Sequence, residues 1–103
     1  MSLNEEERKR TREELRANLR LSGADPEEIA AELGFTARRL DDTLDVTEAS
    51  GPQDVWLLRD HLDDLVTARG GTPVPYTVLT ERARLAASAW FPLRRAPRRG
   101  RGN

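Results

Sequence analysis

The stretch Asp25-Pro26-Glu27-Glu28-Ile29-Ala30-Ala31-Glu32-Leu33-Gly34-Phe35-Thr36-Ala37-Arg38-Arg39-Leu40-Asp41-Asp42-Thr43-Leu44 decides the fold. Asp25 supplies an N-cap, Pro26 suits the first helical position, and Glu28 stands at N3 in capping-box spacing. Ile29, Ala30 and Leu33 make the inward stripe of a short helix, and Gly34 stops it by permitting a positive φ. Thr36 caps the next helix, whose inward residues are Leu40 and Leu44. Two short helices joined by a three-residue turn containing glycine have the pattern of a helix-turn-helix. Ala30 is small where the two helices must approach closely, and Ile29, Leu33, Phe35 and Leu40 fill the angle between them. One slot departs from the pattern. Counted from Gly34, the last inward position falls on Thr43, where the motif usually holds a branched apolar residue, and Leu44 comes one place late.

Upstream, residues 4 to about 21 read as a helix with Ser2 or Asn4 as N-cap. Its apolar ridge is sparse: Leu15 and Leu19, extended weakly by Thr11 and Ser22. Arg8, Arg12, Arg16 and Arg20 recur at spacing four and share one side. Such a row can track a phosphate backbone, but neighbouring glutamates more commonly neutralise it as a solvated face. Downstream, Ser50 can cap a fourth helix with Gln53 at N3, and Val55, Leu58, Leu62, Leu65 and Val66 follow a 3.6 period up to Gly70-Gly71. Trp56 and Leu57 lie off that stripe. A tryptophan so placed commonly wraps the core edge, and this pair is also the candidate interface to a partner chain. Thr72-Pro73-Val74-Pro75-Tyr76 is extended by its prolines, and Thr77 begins a fifth helix that ends before Pro92.

The charge is divided along the chain. Over 103 residues, 17 basic and 18 acidic side chains nearly cancel to a net −1. Residues 25 to 64 nevertheless set three arginines against twelve acids, whereas Pro92 to Asn103 hold Arg94, Arg95, Arg98, Arg99 and Arg101 with no acid. The tail has too little apolar surface to offset its ordering entropy, so residues 92–103 are expected to be disordered. The reading is therefore an all-α domain over residues 1–91, with about five helices and a helix-turn-helix core, followed by an Arg-rich tail.

Several chemistries find no residues. The chain has no cysteine, which excludes disulfides, thiolate metal sites and thiol catalysis. A single histidine, His61, is expected on the polar side of the fourth helix beside Asp60. Asp41-Asp42 and Asp63-Asp64 are adjacent in sequence and so diverge on a helix by about 100° per residue. No phosphate-binding loop, nucleophile elbow or paired-histidine metal motif occurs. A non-enzymatic protein with no cofactor, metal or small-molecule substrate is expected. No apolar run exceeds four residues and the N-terminus lacks a secretory stretch, so a cytoplasmic protein without membrane contact is expected.

Two functions remain. A DNA-binding regulator would present Thr36, Arg38 and Arg39 to the duplex, supported by Arg8, Arg12 and Arg16 and by the tail arginines Arg98 and Arg99. The same outward surface also carries Asp41, Asp42 and Asp45, which oppose a polyanion with one negative charge per ~1.7 Å. The residues therefore favour a protein-interaction or regulatory module, binding itself as a homodimer or another protein, over the DNA reading.

Met1-Ser2-Leu3-Asn4-Glu5-Glu6-Glu7-Arg8, Asp54-Val55-Trp56-Leu57-Leu58-Arg59-Asp60 and Thr72-Pro73-Val74-Pro75-Tyr76-Thr77-Val78-Leu79-Thr80, with Trp90-Phe91 closing, resemble a small bacterial family, domain of unknown function 2316. The resemblance covers about residues 1 to 93 and is most specific in Thr-Pro-Val-Pro-Tyr. It implies a cytoplasmic bacterial protein of helix-turn-helix character, brings no site residues with it, and leaves the arginine tail as an extension.

Overall fold

Asn4 opens the first helix by a reciprocal capping box. Its Oδ1 accepts from Glu7 N–H at 2.8 Å, and Glu7 Oε1 accepts from Asn4 N–H at 3.2 Å. In the computed structural model, which describes residues 4–47, 49–80, 83 and 84, this cap starts α1 (Glu5–Ser22). Three helices follow: α2 (Pro26–Leu33), α3 (Ala37–Leu44) and α4 (Pro52–Ala68). The described residues are thus all-helical in their regular structure, with four helices. The expected fifth helix lies mostly outside the described residues, as does the tail with Arg98 and Arg99. Within them, Thr77–Leu79 is a bend and Ala83 and Arg84 are helical. Thr80, not Thr77, begins that turn: its Oγ1 accepts from Ala83 N–H and its carbonyl from Arg84 N–H.

Local chemistry places the other boundaries. Asp25 caps α2 through Glu27 N–H at 2.9 Å, one residue earlier than the capping-box spacing of Glu28 suggests. Gly34 adopts φ 73°, a region in which a Cβ is strained. It lets Phe35 N–H reach back to Ala30 O at 2.8 Å and close the end of α2. Thr36 caps α3 by accepting from Arg39 N–H. The α3 terminus repeats the closure of α2, with Thr47 N–H on Asp42 O and Val46 N–H on Thr43 O. Here, however, the left-handed residue is Val46, at φ 50°. A β-branched residue at positive φ is a strained outlier, and Val46 is held there by burial in the core. At α4 the N-cap is Gly51, with no side-chain bond, rather than Ser50. Pro52 takes the first helical position, and Ser50 Oγ instead donates to Thr47 O.

The core draws on every element. Leu15, Ile29, Ala30, Phe35, Leu40, Leu44, Val55, Leu58, Leu62 and Leu65 are buried together, with Tyr76 and Leu79 from the segment after α4. α1 packs chiefly on α4, while α3 touches α1, α2 and α4. Thr43 fills its slot fully buried, its hydroxyl donating to Arg39 O at 2.7 Å. A hydroxyl is tolerated in that apolar place because the preceding turn of the same helix accepts its proton.

Two residues of α4 sharpen the sequence reading, Trp56 by deciding between its two alternatives. Trp56 is 0% exposed, so it belongs to the core and offers no surface to a partner. Arg84 lies 4.7 Å from its ring centroid and covers it from the C-terminal side. His61 is also buried rather than superficial, with Nε2 3.7 Å from Glu32 Oε2 of α2.

Among the described residues, no helix is long and apolar enough to cross a membrane.

Candidate interaction site

The surface nominated for a ligand runs from the Gly34 turn across α3. Thr36, Arg38 and Arg39 are all exposed there, but they differ in what they can offer. The Arg39 guanidinium lies 4.2 Å from the centroid of the Phe35 ring and donates to both oxygens of Asp54, Nε to Oδ2 and Nη2 to Oδ1, each at 2.8 Å. Two parallel charge-assisted bonds make this the strong form of an ion pair. The hydrogen bond that Arg39 donates to Asp54 raises its pKa above the ordinary value. Arg38, with its side chain 89% exposed, meets Asp42 at 3.9 Å, a pair worth little in water.

The arginine row of α1 is partly bound as well, though not by the glutamates expected to neutralise it. Arg16 pairs with the Asp45 carboxylate at 2.5 Å, and Arg12 donates to the Asp45 carbonyl at 3.4 Å. Both contacts tie α1 to the residue that ends α3. Arg8 and Lys9 make no ion pair among the described residues. With Glu5, Glu6 and Arg12 they line an open cleft of about 350 Å³.

A second cavity, about 270 Å³, lies where the turn meets α4, between Leu33, Phe35, Arg39, Gln53, Asp54 and Leu57. Its floor is apolar: Phe35 is buried, while Leu33 and Leu57 are covered only in part. One wall is the Arg39–Asp54 fork. The structure thus brings together Arg39 and Leu57, which the sequence reading assigned to different functions, and it separates Leu57 from Trp56. Gln53 and Asp54 were not foreseen as site residues. Their only sequence signal is that Gln53 and Leu57 are four apart on α4 and share a row.

A buried polar seam on α1 was also missed. The Asn18 amide brackets Val74, accepting from its N–H at 2.7 Å and donating to its carbonyl at 3.1 Å. In Pro73-Val74-Pro75 only Val74 has an N–H, so one side chain satisfies both backbone groups of this extended step. One turn earlier, Glu14 accepts from Thr77 N–H at 3.1 Å and Thr77 Oγ1 at 2.7 Å. From α4, Arg59 donates to Leu79 O at 3.1 Å and lies 4.8 Å from the Tyr76 ring centroid. Burial pushes the Tyr76 hydroxyl pKa well above its usual value. Asp60, 1% exposed, receives both Arg59 and Arg84 on Oδ1, which latches the chain after Thr80 onto α4. These groups hold the segment after α4 against α1 and α4.

Among the described residues, no three His, Cys, Asp or Glu side chains converge as a metal site. Comparison with curated proteins and with solved structures finds no match. One family does match, over residues 1–92, and that span holds the Asn18 clamp, the segment it grips and the groove beside Leu57. The chain belongs to the family described as "Uncharacterized protein conserved in bacteria (DUF2316)".

Proposed function

We propose that the chain is a non-enzymatic, cytoplasmic protein-interaction module that receives a peptide segment in the groove between the Gly34 turn and α4. The observation that carries this reading is the charge balance of the α2–α3 surface. Arg39 there is held edge-on by Asp54, Arg38 stands exposed beside Asp42, and the neighbouring Arg16 of α1 is held by Asp45, whereas α2 exposes Glu27, Glu28 and Glu32 and has no basic residue. A helix-turn-helix used on DNA needs its cations free and its outward face neutral or positive. A groove with an apolar floor and a polar wall is instead the usual form of a peptide site.

The DNA-binding alternative has one favourable observation, the cleft of Arg8, Lys9 and Arg12 on α1. It would use Thr36 and Arg38 at base edges and the tail arginines Arg98 and Arg99 on phosphates.

A photo-crosslinker placed at Gln53 in cells tests the main reading. It should trap a discrete protein adduct that the same group at exposed Lys9 does not trap. A fluorescence anisotropy titration with mixed-sequence duplex at low salt should show no binding. Absence of a Gln53-specific adduct overturns the reading, as does duplex binding that weakens with log salt at about −0.9 per phosphate neutralised.

A further inference from the structure

Lys9 is the only lysine among the 17 basic residues of the chain. It is exposed, makes no ion pair among the described residues, and lines the open cleft on α1. Positions 5, 8, 9 and 12 fall on one face of a helix, so Glu5, Arg8, Lys9 and Arg12 stand together there. The acids of the cleft do not neutralise it, because Glu6 turns to Arg10 at 3.8 Å and leaves Glu5 against three cations. Each guanidinium has several N–H donors. Arg12 gives one to the Asp45 carbonyl at 3.4 Å, and Arg8 gives none to a described residue. The cleft therefore sets one amine beside two guanidinium groups with donors to spare, open to a small anion.

We propose that Lys9 is a modification site, acylated by a small acyl phosphate that Arg8 and Arg12 hold. The phosphoryl group of such a donor is a dianion joined to the reactive carbonyl through a single oxygen. Charge-assisted hydrogen bonds from the two guanidinium groups fix the phosphoryl oxygens, and the carbonyl carbon then lies within reach of Lys9 Nζ. The neutral amine attacks that carbon, the bond from carbon to the phosphate oxygen breaks, and phosphate leaves with the electron pair. The proton lost by the nitrogen passes to the leaving phosphate, so the products are an amide at Lys9 and hydrogen phosphate. A coenzyme thioester does not fit this arrangement, because its phosphates are remote from its carbonyl. Lysine is the basic side chain that permits such chemistry, since arginine stays protonated. Acylation removes one of the three cations and so weakens the hold of the cleft on any polyanion. The inference is independent of the groove beside Leu57.

The full-length chain is incubated with acetyl phosphate beside an equal concentration of N-acetyl-lysine amide, and acetylation of both amines is followed by mass spectrometry. Holding the donor next to the amine should make Lys9 react about tenfold faster than the reference amine. Inorganic phosphate should compete. Arg8→Gln and, separately, Arg12→Gln should each slow the reaction about fivefold by removing a charge-assisted contact. Arg20→Gln, in the last turn of the same helix, should leave the rate unchanged. Acetic anhydride has no phosphoryl group and should acetylate Lys9 equally fast in the parent chain and in both cleft variants, which separates a held donor from an amine that is merely exposed. Lys9 reacting at the rate of the reference amine, indifference to phosphate, or an equal loss towards both reagents in Arg8→Gln overturns the inference.

Discussion

Replacing Asn18 by alanine tests the contact that joins the two ends of the described chain. The side chain is 0% exposed and makes two bonds to Val74, at 2.7 and 3.1 Å. A buried polar group left without its partner costs about 1–3 kcal/mol. Val74 is only half-buried, so water can reach part of what is exposed, and the summed loss should be about 2–4 kcal/mol. That is a large share of the roughly 5–15 kcal/mol expected for a domain of this size. Urea denaturation should show a lowered midpoint with an unchanged slope.

Asn18→Asp sharpens the test. Its carboxylate still accepts from Val74 N–H, but its second oxygen now faces the Val74 carbonyl, one turn from the Glu14 carboxylate. The folded-state pKa of the new Asp therefore rises above its unfolded value of about 3.9. A group raised in this way contributes stability that is present below the unfolded pKa and lost as pH climbs through the folded one. The difference between Asn18→Asp and the parent chain should be smallest near pH 3.5, where the protonated acid can donate to Val74 O, and should grow towards pH 7. A loss below about 0.5 kcal/mol for Asn18→Ala, or a pH-independent penalty for Asn18→Asp, refutes the clamp.

Two further predictions concern strain and ionisation. At Val46, glycine should be less destabilising than alanine: both lose the buried side chain, but only glycine relieves a left-handed conformation that costs about 1–2 kcal/mol, and thermal melts in which the alanine variant is the more stable would contradict the strain. Tyr76 is buried and its pKa is raised, so its neutral form supports folding below the unfolded value of about 10 and that support fades as pH rises further. Alkaline denaturation profiles should therefore be flatter for Tyr76→Phe, and coincident profiles would place the hydroxyl in solvent.

Legibility followed the range of each interaction. The boundaries of α2 and α3 could be read from residues 25–44 because capping and glycine closure act within four or five residues. Thr11 and Ser22 extend the α1 stripe only weakly in the sequence, and both are buried. The capping residue of α4 was misplaced by one. Ser50 is the better capping side chain, yet the proline at position 52 puts the cap at Gly51, and Ser50 closes its own turn on Thr47. The full burial of Trp56, expected only at the core edge, and of His61 is not periodic, because a helical stripe marks only the side facing the main core. Trp56 is covered by Arg59 and Arg84, and His61 by the approach of Glu32. Neither cover leaves a periodic trace. The candidate groove was half legible: Leu57 was named, but its union with Leu33, Phe35 and Gln53 depends on how α2 crosses α4.

Local chemistry suffices for the helical class, the ends of α2 and α3, the extended proline segment and the separation of acidic body from basic tail. Capping, the fixed φ of proline and side-chain charge are properties of a residue and its near neighbours. Which charges cancel and which polar groups can be buried is set by the packing of the helices. Arg39 meets Asp54 across 15 positions, Arg16 meets Asp45 across 29, and Asn18 meets Val74 across 56. Those partners are chosen by the angles at which helices cross. A one-dimensional period does not encode that angle, because it records which face is apolar and not which neighbour the face will meet.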